Sequence, residues 1–171
     1  MNAKQMIMKR GIAKTFAIAA AAMLALSLAP TAKADNNGCS NATLKGAFVD
    51  NAIGFSTSPP AMAGPLGGVL TDTFDGKGAM TASGVLSLNG NIVPVTSKAT
   101  YTVNPDCTGT FSVNVYHPSG TLLFTGTLDL AWDDVEMKEL RFIFTSVKLP
   151  NGTPLSIVIS GNGRKMVPPE R

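Results

Sequence analysis

Asp72 shares its alternation with Leu70 and Phe74. That would aim a carboxylate at the apolar side of a strand, where an unpaired charge is costly and its pKa rises. Such a group suits an acid or a polar contact to a ligand. The preferred reading is the reverse: a rim position, or a strand whose other face, Val69, Thr71 and Thr73, is the buried one. Tyr101 on an inward face could offer its hydroxyl to a ligand, although pairing within the core is the ordinary fate of a buried tyrosine. His117 is the single histidine and sits in a His-Pro-Ser-Gly turn, so it is expected in solvent. With one histidine, and both cysteines reserved for a bridge, no zinc site and no other metal site is expected. Asp133, Asp134 and Glu136 lack the ligand periodicity of a calcium loop and read as a solvated acidic turn. Nothing suggests a Ser-His-Asp arrangement, and no glycine-rich stretch joins a strand to a helix as phosphate loops require, so no cofactor is expected. Met62, between Ala61 and Ala63, could be an adaptable apolar contact. With the inward aromatics Phe48, Phe124 and Phe142, it joins Asp72 and Tyr101 as a candidate ligand contact.

These side chains can act only where strands place them. The clearest unit is 101–113, Y-T-V-N-P-D-C-T-G-T-F-S-V, in which two alternating runs flank Asn104-Pro105-Asp106. Proline fixes φ there, and Asn and Asp supply the local hydrogen bonds of a tight turn, so this is a β-hairpin with a cysteine at its tip. The rest of the chain repeats that unit. Alternation predicts strands at 42–49 (Leu44, Gly46 and Phe48 inward), 66–74, 79–88 (Met80, Ala82, Gly84, Leu86 and Leu88 on one face) and 92–103 (Val93, Val95, Ala99, Tyr101 and Val103). It predicts four more at 108–116 (Phe111, Val113, Val115), 121–132 (Leu122, Phe124, Leu128, Leu130), 138–147 (Leu140, Phe142, Phe144) and 155–163 (Ile157, Ile159). Asp75-Gly76-Lys77-Gly78 and Asn89-Gly90 are hairpin turns, and Pro94 sets the start of its strand at a rim or bulge. Residues 50–65, rich in Gly, Ser, Pro and Met, fit no regular element and are expected to form a binding loop or lid.

The first 34 residues read as a cleaved signal peptide, with Lys4, Lys9, Arg10 and Lys14 before an apolar run from Phe16 to Leu28 and an Ala32-Lys33-Ala34 cleavage site. A lipoprotein signal would make Cys39 the lipidated residue, but Asn36-Asn37-Gly38 matches such a signal poorly. Five of the 14 basic residues, and none of the 11 acidic ones, precede Asp35, which leaves nine basic residues against 11 acidic, a net charge of −2. The basicity of the whole chain therefore belongs to the export signal, and nucleic-acid binding loses its support. Residues 35–163 suit a single domain and 164–171 a flexible tail, with no membrane span in the mature form. The protein is expected to be exported, to the periplasm or outside the cell, where two cysteines pair.

Eight strands with hairpin-length links and one apolar face each favour an all-β fold, an eight-stranded antiparallel up-and-down barrel whose closure removes exposed edges. A β-sandwich is the rival, and needs crossovers that only 50–65 could make. In a barrel, Cys39 and Cys107 fall at the same end. A bridge between them closes a loop of about 69 residues, worth on the order of 4 kcal/mol, and ties the amino-terminal lead across the base. Residues 50–65 fall at the opposite end.

The motif Y-x-V-N-x-D-C-T-G-T at 101–110, with L-K-G-A-F at 44–48 and T-F-D-G-K-G at 73–78, resembles a group of small exported bacterial proteins. That resemblance brings no catalytic residues with it. The architecture looks like that of lipocalin-type and allene oxide cyclase-type barrels, although no G-x-W stands near the first strand. The leading expectation is a non-enzymatic exported barrel that binds a small, largely apolar ligand inside, with 50–65 as its lid. A surface or protein-interaction module with a solid core is one alternative. A cyclase or isomerase using the cavity, with Asp72 and Tyr101 steering a substrate, is the other.

Overall fold

The structure, a computed structural model, describes residues 38–167. The expected signal peptide and residues 168–171 of the tail lie outside the described residues. Eight strands follow one another: β1 (Lys45–Ser58), β2 (Gly64–Asp75), β3 (Ala79–Leu88), β4 (Asn91–Val103), β5 (Thr108–Tyr116), β6 (Leu122–Trp132), β7 (Glu139–Lys148) and β8 (Ser156–Lys165). Each pairs antiparallel with the next, and β8 returns to β1, closing the barrel. The up-and-down barrel is thus the fold, and the sandwich is excluded.

Two boundaries correct the sequence reading. Residues 50–65 are not an irregular lid: β1 runs through Asp50 to Ser58, with unbroken register against β2 from Lys45↔Asp75 to Ser56↔Gly64. Asp50, Ala52 and Ser56 are buried on its inner face, whereas Ile53 and Phe55 are exposed. Pairing with a neighbour on each side, β2 and β8, outweighs the weak strand preference of Asp, Asn, Gly and Ser. Only 59–63 remain as a connection, with a 3-10 turn at Pro60–Met62. At the other terminus, Arg164 and Lys165 belong to β8 rather than to a loose tail, opposite Val49 and Phe48 of β1. The amide of Lys165 donates to the Lys138 carbonyl at 2.8 Å, and that of Met166 to the Ala47 carbonyl at 2.8 Å.

Other readings hold closely. Pro94 is exposed in the part of β4 that extends past β5, whose pairing begins at Thr96. β7 pairs with β8 only from Glu139↔Arg164 to Ile143↔Ser160. A shift in the β6–β7 register makes Thr145 an extra residue there, and the end of β7 is met instead by the connection before β8, through the Lys148↔Pro154 bridge and the Leu155 amide on the Val147 carbonyl.

The end holding the disulfide is solid. Cys39 and Cys107 are bonded, so the Cys39 sulfur is not a lipid attachment point. The bridge brings 39–44 across the base. There the Asn41 side chain accepts from the Val103 amide at 2.7 Å and donates to the Tyr101 carbonyl at 3.5 Å. Leu44, at the end of this lead, and Met137 are wholly buried there. Above them Phe74 meets Phe48, Tyr101 and Phe111 edge-on, with ring centroids 5.2, 5.5 and 5.7 Å away, a geometry aromatic quadrupoles favour.

Tyr101 anchors this base. Its hydroxyl donates to the Leu44 carbonyl at 3.0 Å and accepts from the Gly76 amide at 3.0 Å. Tyr101→Phe strips both partners and is expected to cost about 2 kcal/mol. Urea unfolding should show the lower midpoint with an unchanged slope. An unchanged midpoint would mean that water replaces the hydroxyl.

Candidate functional site

The opposite half of the barrel is not filled. On the inner face of β1 and β2, Asp50 stands opposite Leu70, and Asp72 stands opposite Phe48. The row through Asp72 continues across Ala82 of β3 to Ser97 of β4. Asp50, Asp72 and Ser97 thus face a common interior, a cavity of about 80 Å³ whose remaining wall is apolar and includes Leu86, Phe124, Phe142, Phe144 and Ile159. Asp72 is therefore not a rim residue, and the preferred sequence reading of its strand is overturned: Asp72 is 7% exposed, whereas Val69 on the other face is 58% exposed.

Small residues opposite rings shape the wall. A Cβ at Gly161 would lie 2.5 Å from Cζ of Phe142, and one at Gly126 would lie 2.8 Å from Cε1 of Phe144. These glycines leave room for the two rings, which meet edge-on with centroids 6.2 Å apart. Gly163 does the same for Asp50 and Leu140: its Cβ would come within 3.2 Å of Asp50 Cβ and 3.1 Å of Leu140 Cγ.

The electrostatics are unusual for a carboxyl pair. Asp50 is 8% exposed, and its Oδ1 is buried with no hydrogen-bond partner. Burial pushes its pKa up to about 6, against the pull of its own backbone and that of Leu70. Asp72 is pushed up to about 8, first by burial and then by the charge of Asp50. At neutral pH the pair holds about one proton between its two carboxyls, and the chamber carries net negative charge. Among the described residues, no lysine, arginine or histidine lines it. Lys165, on β8, is outside the cavity lining; its Cε lies beside Gly46.

The candidate residues divide between the two halves. Asp72, Phe124 and Phe142 line the cavity, whereas Phe48 and Tyr101 belong to the packed base and Met62 packs on the core from the 59–63 connection. Asp50, Ser97 and Phe144 also line it and were not singled out from sequence. The signal for Asp50 was present, since the alternation of Leu44, Gly46 and Phe48 continues through it. His117 lies away from the cavity, where its Nδ1 meets Ser119 Oγ at 2.9 Å. In the acidic turn Asp133 pairs with Arg141 at 3.1 Å, and Glu136 pairs with Lys138.

No protein-family model and no curated protein matches the chain. Among solved structures it is similar to a mutant of the vaccine antigen transferrin binding protein B from Haemophilus parasuis Hp5. That match has 12% identity and a TM-score of 0.38, and covers 77% of this chain and 29% of the other. The chain thus spans under a third of that protein's length.

Chemically, the chamber offers two carboxyls and one hydroxyl, a set rich in acceptors in a wall that is otherwise mostly hydrocarbon. About 80 Å³ is well below the roughly 300–1,000 Å³ of pockets for drug-sized ligands. It has room for a few waters or for a molecule of a handful of heavy atoms.

Proposed function

We propose that the protein is an exported, non-enzymatic barrel that takes a small molecule with an apolar body into its interior, where Asp50, Asp72 and Ser97 hold the polar group. One observation carries this reading: Asp50 Oδ1 is buried in the cavity without a partner. A buried carboxyl left so costs folding free energy, and a solid-core interaction module would have no use for it. Export is supported by the basic and apolar leader and by the Cys39–Cys107 bridge.

The size of the cavity sets the scale of the ligand. A long lipid tail does not fit, and neither does a bulky cyclase substrate. Molecules of up to about five heavy atoms, spanning amines, alcohols and short acids, should be titrated into the ¹⁵N-labelled protein. Binding is expected to move the amide resonances of residues around Asp50, Asp72 and Ser97 and to leave the base around Tyr101 unmoved. If no compound moves the cavity resonances, the interior is structural and the interaction-module reading takes its place.

A further inference from the structure

We infer that the interior site selects small organic ammonium ions: a short alkylamine whose charged nitrogen lies between Asp50 and Asp72 and whose carbons lie against Phe124, Phe142 and Ile159. This rests on the interior-binding reading above and names its ligand class.

The polar lining is the first argument. Ionised carboxylates only accept hydrogen bonds, and a hydroxyl can accept as well as donate. The unpartnered Asp50 Oδ1, on a side chain more than nine-tenths buried, is an acceptor without a donor. An alkylammonium has up to three N–H donors and a positive charge, which answers both the missing donor and the missing counter-charge.

The walls are the second. β1 contributes Asp50 and β2 contributes Asp72, while the other lining residues are uncharged and the cation Lys165 of β8 is outside the lining. Among the described residues, no cationic side chain therefore compensates the carboxylate that stays ionised beside the protonated one. Aromatic rings in the same wall, Phe111, Phe124, Phe142 and Phe144, add faces that attract cations.

Competing ligand classes fit less well. Ca²⁺ needs six to eight oxygen ligands and Mg²⁺ near-ideal octahedral geometry, and no group of three or more metal-ligating side chains exists among the described residues. A carboxylic acid would bring a third acidic group into a chamber with no cation. A neutral alcohol could donate one bond to Asp50 but would leave the charge uncompensated.

The test compares three probes of similar size, propylammonium chloride, 1-propanol and sodium propionate, by ¹⁵N NMR titration of the protein at pH 7.5. Propylammonium is expected to shift the resonances of Asp50, Ala52, Asp72 and Ser97 at concentrations at least tenfold below those 1-propanol needs, and propionate is expected to leave them unmoved. Asp50→Asn keeps the shape and removes the charge, so it should weaken propylammonium at least tenfold and change 1-propanol little. Affinity for propylammonium should also fall as pH drops from 7.5 to 5, because the pair then becomes neutral. If 1-propanol binds as well as propylammonium, or if Asp50→Asn leaves propylammonium unaffected, the ammonium assignment is wrong while interior binding stands. Silence from all three probes would overturn both.

Discussion

Asp72→Asn is expected to stabilise the protein at pH 7 by on the order of 4 kcal/mol, and to make no difference near pH 3. Asp72 in the folded protein has a pKa of about 8, raised from 3.8 by burial and then by Asp50. The folded state therefore holds a proton that the unfolded chain releases once pH exceeds about 4. Stability must fall as pH rises from about 4 towards 8, by close to 1.4 kcal/mol per pH unit, and level off beyond. Asn removes that slope while keeping the volume. Asp50, raised to about 6, adds a shorter decline that ends sooner.

Two other carboxylates act in the opposite sense and in a different window. Backbone amides of Lys77, Ala79 and Gly78 hold the Asp75 pKa down, and the Thr108 hydroxyl and amide do the same for Asp106. Their contribution is present above pH 4 and lost as pH falls through their depressed folded values. Maximum stability is therefore expected near pH 4. Urea unfolding at pH 3, 5, 7 and 9 on the native chain and on Asp72→Asn reads all of this. A native stability that does not fall between pH 5 and 8 would show that Asp72 is solvated.

Removing the disulfide is the second large effect. A Cys39→Ser, Cys107→Ser double variant is expected to lose about 4 kcal/mol, because the bridge closes a long loop in the unfolded chain. The loss has a local side as well. Cys107 sits at φ 62°, a left-handed conformation that side chains other than Gly, Asn and Asp seldom adopt. Without the bridge, the 104–108 turn keeps its own bonds, while the lead is held by Asn41 and its two bonds, by the Tyr101 hydroxyl on the Leu44 carbonyl and by Thr43 Oγ1 on Met137 Sδ. Urea midpoints with and without reductant measure the effect on the native chain, and the double variant should be blind to reductant. A loss under 1 kcal/mol would assign the anchoring of the lead to those hydrogen bonds instead.

How much of this could be read from residues alone differs by element. β5 was legible to its ends because Phe111, Val113 and Val115 alternate cleanly with Ser112 and Asn114 between two turn sequences. The disulfide followed from counting strand directions. The second half of β1 was not legible: Asp50, Asn51, Gly54, Ser56 and Ser58 have low strand preference, and only their neighbours in the closed sheet hold them extended. Losing β1 also hid half of the carboxyl pair. The direction of Asp72 was ambiguous because Val69, Thr71 and Thr73 look as suited to burial as Leu70 and Phe74, and a buried charge weighed against the true answer. The cavity itself depends on how Phe142 and Phe144 nest against Gly161 and Gly126 across strands, and alternation carries no such information.

The short ladder between β7 and β8 gives this hoop a clasp. Five paired positions hold it, from Glu139↔Arg164 to Ile143↔Ser160, whereas β1 and β2 share twelve. Thermal motion that parts those five rungs unrolls the ring into a ribbon with two bare margins, and bare margins pair with other chains. That seam is thus where self-association would begin on warming.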